Sequence, residues 1–487
     1  MTALQPTPGT TMLCGCGHAE WAACGLEDPY LDFLARKAVV VEPAGLAEVP
    51  PLHPELSPHQ RDGVSFALRQ GRAALFHDTG LGKTFQQLEW ARVVRDVTGG
   101  SVLILCPLAV AAQTVREGER FGIAVTRCQS AADVRPGINI ANYDRLDRFE
   151  PSVFAGVVLD ESGILKSFVG ATRRALCDAF RGTPYRLCCT ATPAPNDYME
   201  LGNHSDFLGV MPMNEMLQRW FVNDTSTASQ SWRLKGHAVE SFWNWVSSWA
   251  RCVSRPSDLG YSDQGYILPP LRSFRHIVDS DLTIDSGSAL FRVPDVSATG
   301  MHREKRLSVE ARAAEVAGIV AAEPGEPWLV WCDTDYEADA LKAVIPEAVE
   351  VRGSHSVEFK ERAALDFVTG SRRILISKSR IFGFGMNFQH CARVAFVGVN
   401  YSYEQYYQAI RRCWRFGQSR EVHVHVVMAE AEAAAWATVV RKAEDHEKMK
   451  KQMLAATIRA QAEHRRVKIP YEPTKTAVLA PWIRTAA

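Results

Sequence analysis

The sequence predicts an α/β protein of two tandem lobes, each a parallel sheet flanked by helices, with a helical, tryptophan-rich insertion between the lobes. Two observations lead to this fold class. Short apolar runs alternate with helical or turn-like stretches, a pattern typical of parallel sheets. The 487 residues are 46% hydrophobic, which is enough to bury two cores and leaves room for an insertion.

These patterns divide the chain into five predicted parts. Residues 1–49 form an N-terminal extension, and residues 50–206 form the first lobe. Residues 207–303 hold the insertion and the linker between the lobes. Residues 304–430 form the second lobe, and residues 431–487 form a C-terminal helix and tail.

The first lobe contains a candidate phosphate-binding loop. The apolar run 73–76 predicts a strand, and helical spacing follows from residue 85 onward. A strand, a glycine-rich turn and a helix start form a P-loop, whose backbone N–H groups and helix N-terminus hold phosphate. The motif G-x-x-x-x-G-K-[ST] has glycine where His77 stands, so a chance Gly-Lys-Thr at a helix start is the alternative. The residues predicted to contact a nucleotide in this loop are Asp78, Thr79, Gly80, Leu81, Gly82, Lys83 and Thr84.

An acidic pair supports this interpretation of the loop. Asp160 and Glu161 follow the apolar run 156–159, and ligands bind at the carboxyl ends of strands in open α/β sheets. Lys83 would neutralise the β- and γ-phosphates, while Asp160 and the Thr84 hydroxyl would hold Mg²⁺. Glu161 would orient and deprotonate the attacking water. The alternative is a solvated turn at a strand end.

The second lobe is predicted from four further strands and an arginine-rich segment. The strands are expected at 328–332, 373–377, 394–398 and 422–427. Arginines supplied from another domain can stabilise charge on a transferring phosphoryl group and can be worth ~10³–10⁵ in rate. The alternative is a basic helix face that lies on phosphates or carboxylates. The arginines concerned are Arg411, Arg412 and Arg415.

In chain order, these motifs resemble those of the Swi/Snf-type branch of superfamily-two helicases, the DNA-translocating ATPases with DEAD/DEAH-like motifs. Leu56–Val64 resembles the glutamine motif, and Thr190–Asn196 resembles the coupling motif. Gly383–Phe388 resembles Gly-x-Gly-x-Asn-Leu, and Gln408–Gln418 matches Gln-Ala-x-x-Arg-x-x-Arg-x-Gly-Gln. The resemblance covers roughly residues 50–430, and in particular it is similar to a compact form common in phages and prophages.

The resemblance implies two RecA-like lobes and specific roles for several residues. Gln60 would read the adenine, and Gly385 would lie at the nucleotide. Arg412 and Arg415 would be the two arginine fingers, and Gln408 would help to position water or phosphate. One departure concerns the acidic box, which usually ends in a histidine that couples hydrolysis to movement. Gly163 stands there instead.

The implied function is that of an ATP hydrolase that uses ATP and Mg²⁺ to move on double-stranded DNA. No base-reading motif is seen, so little sequence specificity is expected. One alternative is a strand-separating helicase on DNA or RNA. Another is an ATP-gated DNA-binding scaffold that seldom hydrolyses ATP, which the glycine at the end of the acidic box suggests.

The composition limits how the chain could meet its partners. The formal charge is +0, from 55 basic and 55 acidic residues, so nucleic acid would have to bind a local positive groove. No apolar run approaches the ~18 residues of a membrane span. Met1–Thr10 lacks the features of a secretion signal. The twelve cysteines lie mostly in apolar strands, as reduced thiols do, so a cytoplasmic location is expected.

Three further segments have more than one interpretation. Cys14, Cys16, His18 and Cys24 suggest zinc, but their spacing does not match the usual C-x-x-C pairs, and a loose tail is favoured. The tryptophans within 207–280 could stack on bases, although their helical spacing favours core packing. Residues 279–303 are predicted to be a linker. The helical stretch 429–467 could touch DNA phosphates with its basic end, but a solvated face is favoured.

Overall fold

The computed structural model describes residues 41–107, 110–166, 170–224, 231–278, 298–382 and 386–465. Two parallel sheets, each covered by helices, dominate this part of the chain. The predicted fold class is therefore confirmed.

The first lobe is built on a seven-stranded sheet in the order β3-β4-β2-β5-β6-β1-β9, with all neighbours parallel. Its strands are near-continuous apolar runs because helices cover both faces. In chain order its elements are α1 (Pro58–Gln70), β1 (Arg72–His77), α2 (Lys83–Thr98), β2 (Ser101–Cys106), α3 (Ala111–Arg120), β3 (Val125–Arg127), β4 (Ile138–Asn142), β5 (Phe154–Asp160), α4 (Ala171–Ala179), β6 (Tyr185–Cys189) and α5 (Leu201–Leu208).

The segment after α5 contains more than the helices that the sequence predicts. Its elements are α6 (Met213–Trp220), an antiparallel hairpin of β7 (Phe221–Asp224) and β8 (Ser231–Leu234), α7 (Val239–Trp249) and β9 (Ala250–Val253). Strand β9 pairs with β1 and so becomes the edge of the first sheet. The tryptophans of α6 and α7 lie in the core of the first lobe, which confirms core packing for Trp220, Trp243, Trp245 and Trp249.

The second lobe is built on a six-stranded sheet in the order β10-β15-β14-β11-β13-β12, again with all neighbours parallel. The four strands predicted here are confirmed to within a residue or two at each end. The elements are β10 (Leu271–Val278), α8 (Ala298–Leu307), α9 (Val309–Ala322), β11 (Trp328–Cys332), α10 (Asp335–Val344), β12 (Val349–Val351), α11 (Val357–Val368), β13 (Ile374–Lys378), α12 (Ser379–Phe382), β14 (Arg393–Val397), α13 (Tyr403–Ile410) and β15 (Val422–Ala429).

The predicted linker 279–303 is wrong at its carboxyl end. Residues 279–297 lie outside the described residues, but α8 already begins at Ala298. The sequence of α8 shows no apolar periodicity, because ionic contacts hold this helix in place. Lys305 is buried, with its Nζ 3.9 Å from Glu337 Oε1 and 3.7 Å from Glu432 Oε1.

The last element, α14 (Ala433–Arg465), joins the two lobes. Its first turns pack on the second lobe through Ala435, and its later turns bury Met449, Met453 and Ala456 in the core of the first lobe. These apolar side chains share one packed stripe of the predicted helix. At the basic end of the helix, the Arg459 side chain is 44% exposed, in line with the solvated face favoured from the sequence, and residues 466–468 lie outside the described residues.

Two properties of the described residues concern membrane spanning and the state of the cysteines. None of the helices in these ranges combines the length and the apolarity needed to cross a bilayer. The nine cysteines in the same ranges carry free thiols, and eight of them are buried.

Candidate nucleotide-binding site between the lobes

The phosphate-binding loop connects β1 to α2 at the carboxyl edge of the first sheet. Gly80 and Gly82 have φ angles of 93° and 74°, a region that side chains with a Cβ seldom adopt. Lys83 begins α2, and its Nζ donates to the carbonyls of His77 at 2.8 Å and Asp78 at 3.3 Å. Burial lowers the pKa of Lys83, although nearby carboxylates oppose the change. The lysine is thus held within the loop, beside its backbone.

His77 lies beneath this loop as an uncharged side chain. Burial lowers its pKa to about 3, with the charge of Lys83 adding to the effect. Its ring packs against Gly63 of α1, where an added Cβ would come within 2.9 Å of the His77 Cε1 atom. His77, which stands in place of the glycine of the P-loop pattern, is the last residue of β1, and its ring packs on α1.

Gln60 lies against the loop from the start of α1. Its Oε1 accepts from the Ser57 backbone N–H at 3.0 Å in a capping box, and its Nε2 donates to the Leu81 carbonyl at 3.2 Å. Both ends of the amide are therefore engaged by the protein. The structure places Gln60, the residue expected to read the adenine, at the loop through contacts with backbone atoms.

Asp160 and Glu161 stand at the carboxyl end of β5, next to the loop. Asp160 Oδ1 accepts from Gln87 Nε2 at 2.6 Å, and its carbonyl accepts from the Tyr143 hydroxyl at 2.7 Å. Burial and the neighbouring charge of Glu161 raise the pKa of Asp160 to about 6. Glu161 has a φ of 53°, a backbone conformation that is uncommon for a residue other than glycine. Thr190, from the predicted coupling motif, donates to Glu161 Oε2 at 3.4 Å.

The arginine-rich segment of the second lobe lies directly on the loop. Arg411 Nη2 donates to the Thr79 carbonyl at 3.0 Å, and the guanidinium is buried. The Phe416 ring covers Gly80 so closely that an added Cβ would meet its Cδ2 at 2.5 Å. Motifs that are more than three hundred residues apart in sequence are therefore in contact.

Arg412 and Arg415, the predicted fingers, differ from Arg411 in their contacts. Arg412 donates to the Gln408 carbonyl at 3.0 Å, to Gln408 Oε1 at 3.1 Å and to the Met386 carbonyl at 3.1 Å, all within the second lobe. Burial lowers its pKa to about 10, and the charges of Arg415 and Arg411 add to the effect, whereas Glu161 opposes it. The buried Arg415 Nε has no hydrogen-bond partner among the described residues. The first-lobe carboxylate Glu117 opposes the lowering of the Arg415 pKa that burial causes.

Asp78 takes part in an ion cluster that spans three elements. Its carboxylate accepts from Lys450 Nζ of α14 at 3.0 Å and from the Tyr407 hydroxyl of α13 at 3.4 Å, and Arg411 Nη2 lies 3.8 Å away. Burial alone would raise the pKa of Asp78, but Lys450 and Arg411 hold it below its usual value. Asp78, a residue of the predicted phosphate-binding loop, therefore also links the second lobe and the C-terminal helix to the loop.

A second set of contacts joins the lobes at the carboxyl side of β5. Lys166 Nζ lies 2.5 Å from Glu404 Oε2, and Lys442 Nζ donates to Asn196 Oδ1 at 2.8 Å. Lys166, Asn196 and Glu404 line a cleft of about 340 Å³ between the lobes. The sequence gave no role to Glu404, Lys166, Lys442 or Lys450. For Lys450, the apolar spacing of Met449, Met453 and Ala456 was a signal that its helix is packed.

Some predicted positions cannot be placed. Gly385 lies outside the described residues, as do Cys14, Cys16, His18 and Cys24. Within the described ranges, no group of three or more His, Cys, Asp or Glu side chains could hold a metal ion alone. Mg²⁺ sites on nucleotides usually combine one or two carboxylates with water and phosphate oxygens.

Comparison with protein-family models identifies the two lobes. Residues 59–240 match the SNF2-related domain, and residues 311–417 match the helicase conserved C-terminal domain. The loop and the acidic pair fall in the first match, and the arginine-rich segment falls in the second up to Gly417.

Known proteins with similar sequences match only part of the chain. It is 30% identical over 158 residues to the SWI/SNF-related matrix-associated actin-dependent regulator of chromatin subfamily A-like protein 1 of Xenopus tropicalis, covering 30% of this chain and 16% of that protein. The Drosophila melanogaster protein of the same name is 40% identical over 231 residues, covering 44% and 30%. The human DNA excision repair protein ERCC-6-like is 29% identical over 192 residues, covering 34% and 15%. The chain therefore spans less than a third of each of these relatives.

A solved structure, the Sulfolobus solfataricus SWI2/SNF2 ATPase core in complex with dsDNA, aligns with 86% of this chain and 98% of that chain, at 16% identity and a TM-score of 0.41. None of these comparisons supports the phage or prophage origin expected from the sequence. The two domain matches agree with the motif order and with the two parallel sheets. The chain therefore contains an SNF2-related domain at residues 59–240, followed by a helicase conserved C-terminal domain at residues 311–417.

Proposed function

We propose that this protein hydrolyses ATP between its two lobes and uses the cycle to move on double-stranded DNA without strong sequence specificity. One observation carries the proposal: the arginine-rich segment of the second lobe lies on the phosphate-binding loop of the first, with Arg411 Nη2 3.0 Å from the Thr79 carbonyl. A site completed by two domains makes hydrolysis depend on their closure, and closure is the movement that a motor requires.

The residues around the loop are suited to ATP and Mg²⁺. Gly80 and Gly82 give the loop the positive φ angles with which backbone N–H groups can surround phosphate oxygens, and Lys83 would turn from the loop carbonyls to the β- and γ-phosphates. The Thr84 hydroxyl and the Asp160 carboxylate would hold Mg²⁺, which neutralises the developing phosphate charge when it is bound. Gln87 keeps Asp160 oriented for this task.

The chemical step would be divided between the lobes. Glu161 would accept the proton of the attacking water, and its carboxylate accepts a hydrogen bond from the Thr190 hydroxyl. Arg412 and Arg415 would stabilise the γ-phosphoryl group on closure, with Gln408 holding Arg412. Arg415 supports this role because its buried Nε has no partner among the described residues. Gln60 would recognise the base next to Leu81.

The test is ATP hydrolysis by the purified protein, measured with and without duplex DNA. Lys83→Ala and Arg415→Ala are expected to abolish DNA-stimulated hydrolysis and to keep the circular dichroism spectrum of the parent. Lys448→Ala is the matched control, because Lys448 is an exposed lysine of α14 far along the chain from both motifs. Normal turnover by Lys83→Ala or Arg415→Ala would refute the site.

The alternatives give different results in the same assays. A strand-separating helicase would release a labelled strand, and stimulation by single strands or RNA would exceed that by duplex DNA. A scaffold would bind DNA tightly with ATP and release almost no phosphate. We keep the compact phage or prophage form and the cytoplasmic location as proposals from the sequence.

A further inference from the structure

Gly163 leaves a space beside the acidic pair, and a residue of the second lobe fills it. The glycine is buried in the short 3₁₀ turn Ser162–Lys166, directly after Glu161. A Cβ built on Gly163 would lie 2.9 Å from Glu404 Oε1, and the next nearest atoms would be the Thr192 carbonyl at 3.6 Å and Thr190 Oγ1 at 3.8 Å. The carboxylate of Glu404 therefore occupies the place of a side chain at position 163.

The same turn also holds Glu404 in this position. Lys166, its last residue, lies 2.5 Å from Glu404 Oε2, so the two carboxylate oxygens are divided between the two ends of the turn. The Glu404 side chain is 12% exposed and that of Lys166 is 44% exposed. Lys166 is therefore the more exposed member of the pair, and the Glu404 carboxylate is largely buried at the interface between the lobes.

The position of this turn bears on Glu161. Position 163 and Glu161 both lie near the Thr190 hydroxyl. A Cβ on Gly163 would lie 3.8 Å from Thr190 Oγ1, and this hydroxyl donates to Glu161 Oε2 at 3.4 Å. Burial raises the pKa of Glu404, and the charge of Glu161 adds to the rise, whereas Lys166 opposes it. Glu404 comes from α13, the helix that also carries Gln408 and leads into Arg411 and Arg412. The helix that brings Glu404 to the turn therefore also brings the arginine-rich segment to the first lobe.

We propose that Glu404 is a positioning residue for hydrolysis: held over Gly163 by Lys166, it fixes the turn that directly follows Glu161 only when the second lobe is docked. The proposal rests on the proposed ATP hydrolysis. Glycine at position 163 is then required, because any Cβ would push Glu404 from its seat. Glu404 touches no reacting atom, so its effect falls on the rate of the chemical step and not on nucleotide affinity.

Kinetics of DNA-stimulated ATP hydrolysis test this role. Glu404→Gln and Lys166→Met are each expected to lower kcat roughly tenfold and to leave the KM for ATP within about twofold of the parent, because misplacement of a catalytic group costs rate. The charge swap Lys166→Glu with Glu404→Lys is expected to recover most of the loss. Lys442→Met is the matched control, since Lys442 also joins the lobes but contacts Asn196 instead of the turn.

Gly163→Ala gives an independent arm. The atom that its Cβ would meet is the end of a flexible side chain, so the variant is expected to fold and to displace Glu404. Its loss of kcat should match that of Glu404→Gln, and the double variant should be no slower than either single one. Full activity of Glu404→Gln, additive losses in the double variant, or an equal loss in Lys442→Met would overturn the proposal. Absence of ATPase activity in the parent protein would instead refute the proposed function itself.

Discussion

Replacing Lys450 by methionine should destabilise the junction between α14 and the first lobe. Lys450 Nζ lies 3.0 Å from Asp78 Oδ2, and the two side chains are only 9% and 11% exposed. Removal of one partner of a buried ion pair typically costs about 3–5 kcal/mol, because the other charge stays buried. Asp78 would keep the Tyr407 hydroxyl at 3.4 Å and Arg411 at 3.8 Å. We therefore expect the low end of that range, about 3 kcal/mol.

Urea unfolding followed by tryptophan fluorescence measures this effect. Helix α14 packs on α7, which carries Trp243, Trp245 and Trp249, so separation of the two helices changes the signal. Lys448→Met is the control, because it removes the same charge from an exposed position of the same helix. We expect the control to differ from the parent by less than about 0.5 kcal/mol.

The effect of Lys450→Met should not change with pH near neutrality. The pKa of Asp78 lies below its ordinary value of 3.8, so its contribution is complete above that value and is lost only as the pH falls further. The charge of Asp78 raises the pKa of Lys450 above its ordinary 10.5 despite burial, so this contribution is complete below pH 10.5. The difference between Lys450→Met and the parent should be constant from about pH 5 to pH 9.

The double variant Asp78→Asn with Lys450→Met decides whether the pair is the cause. It removes both charges of the pair and should recover part of the loss, because no unpaired carboxylate stays at position 78; Arg411 loses its ionic partner but keeps its hydrogen bond to the Thr79 carbonyl, so the recovery is incomplete. A cost for Lys450→Met no larger than that of Lys448→Met would refute the reasoning. A double variant that simply adds the two single losses would do the same.

Two further predictions concern the loop. The Mg²⁺ affinity of the protein with a non-hydrolysable ATP analogue should fall as the pH drops below about 6, because the raised pKa of Asp160 lets protons compete for the ligand; calorimetric titration at pH 5 and pH 7.5 that gives equal affinities would contradict this. Gly80→Ala should weaken binding of a fluorescent ATP analogue, because its Cβ would meet Phe416 and its φ of 93° strains any other residue. Phe416→Ala in the same chain should recover only part of the loss, since the strain persists; complete recovery would show that the clash alone matters.

Much of this fold could be read from local sequence. The runs 328–332 and 422–427 are strands because their continuous apolar character suits a sheet covered on both faces. The loop at Gly80–Lys83 and the acidic pair after β5 follow from turn chemistry and from strand ends, which are short-range properties. The placement of the arginine-rich segment on this loop agrees with the motif order.

The contacts between lobes could not be predicted in the same way. Asp78 and Lys450 are 372 residues apart, and no local period links them. Glu404 is one acidic residue in a polar helix start, and only the space above Gly163 gives it a role. The order of the motifs predicted Arg412 and Arg415 as the arginines that meet the phosphate site. In the structure, Arg411 contacts the loop, and Arg412 is engaged within its own lobe.

The length of α14 has a mechanical consequence. Thirty-three residues at 1.5 Å each give a rod of about 50 Å that starts on one lobe and finishes on the other. The chain thus runs from the first lobe through the second lobe, and α14 then packs on the first lobe again. Two connections between the lobes instead of one limit how far the lobes can separate, so a shift of one lobe at the nucleotide cleft would be passed to the other along this helix.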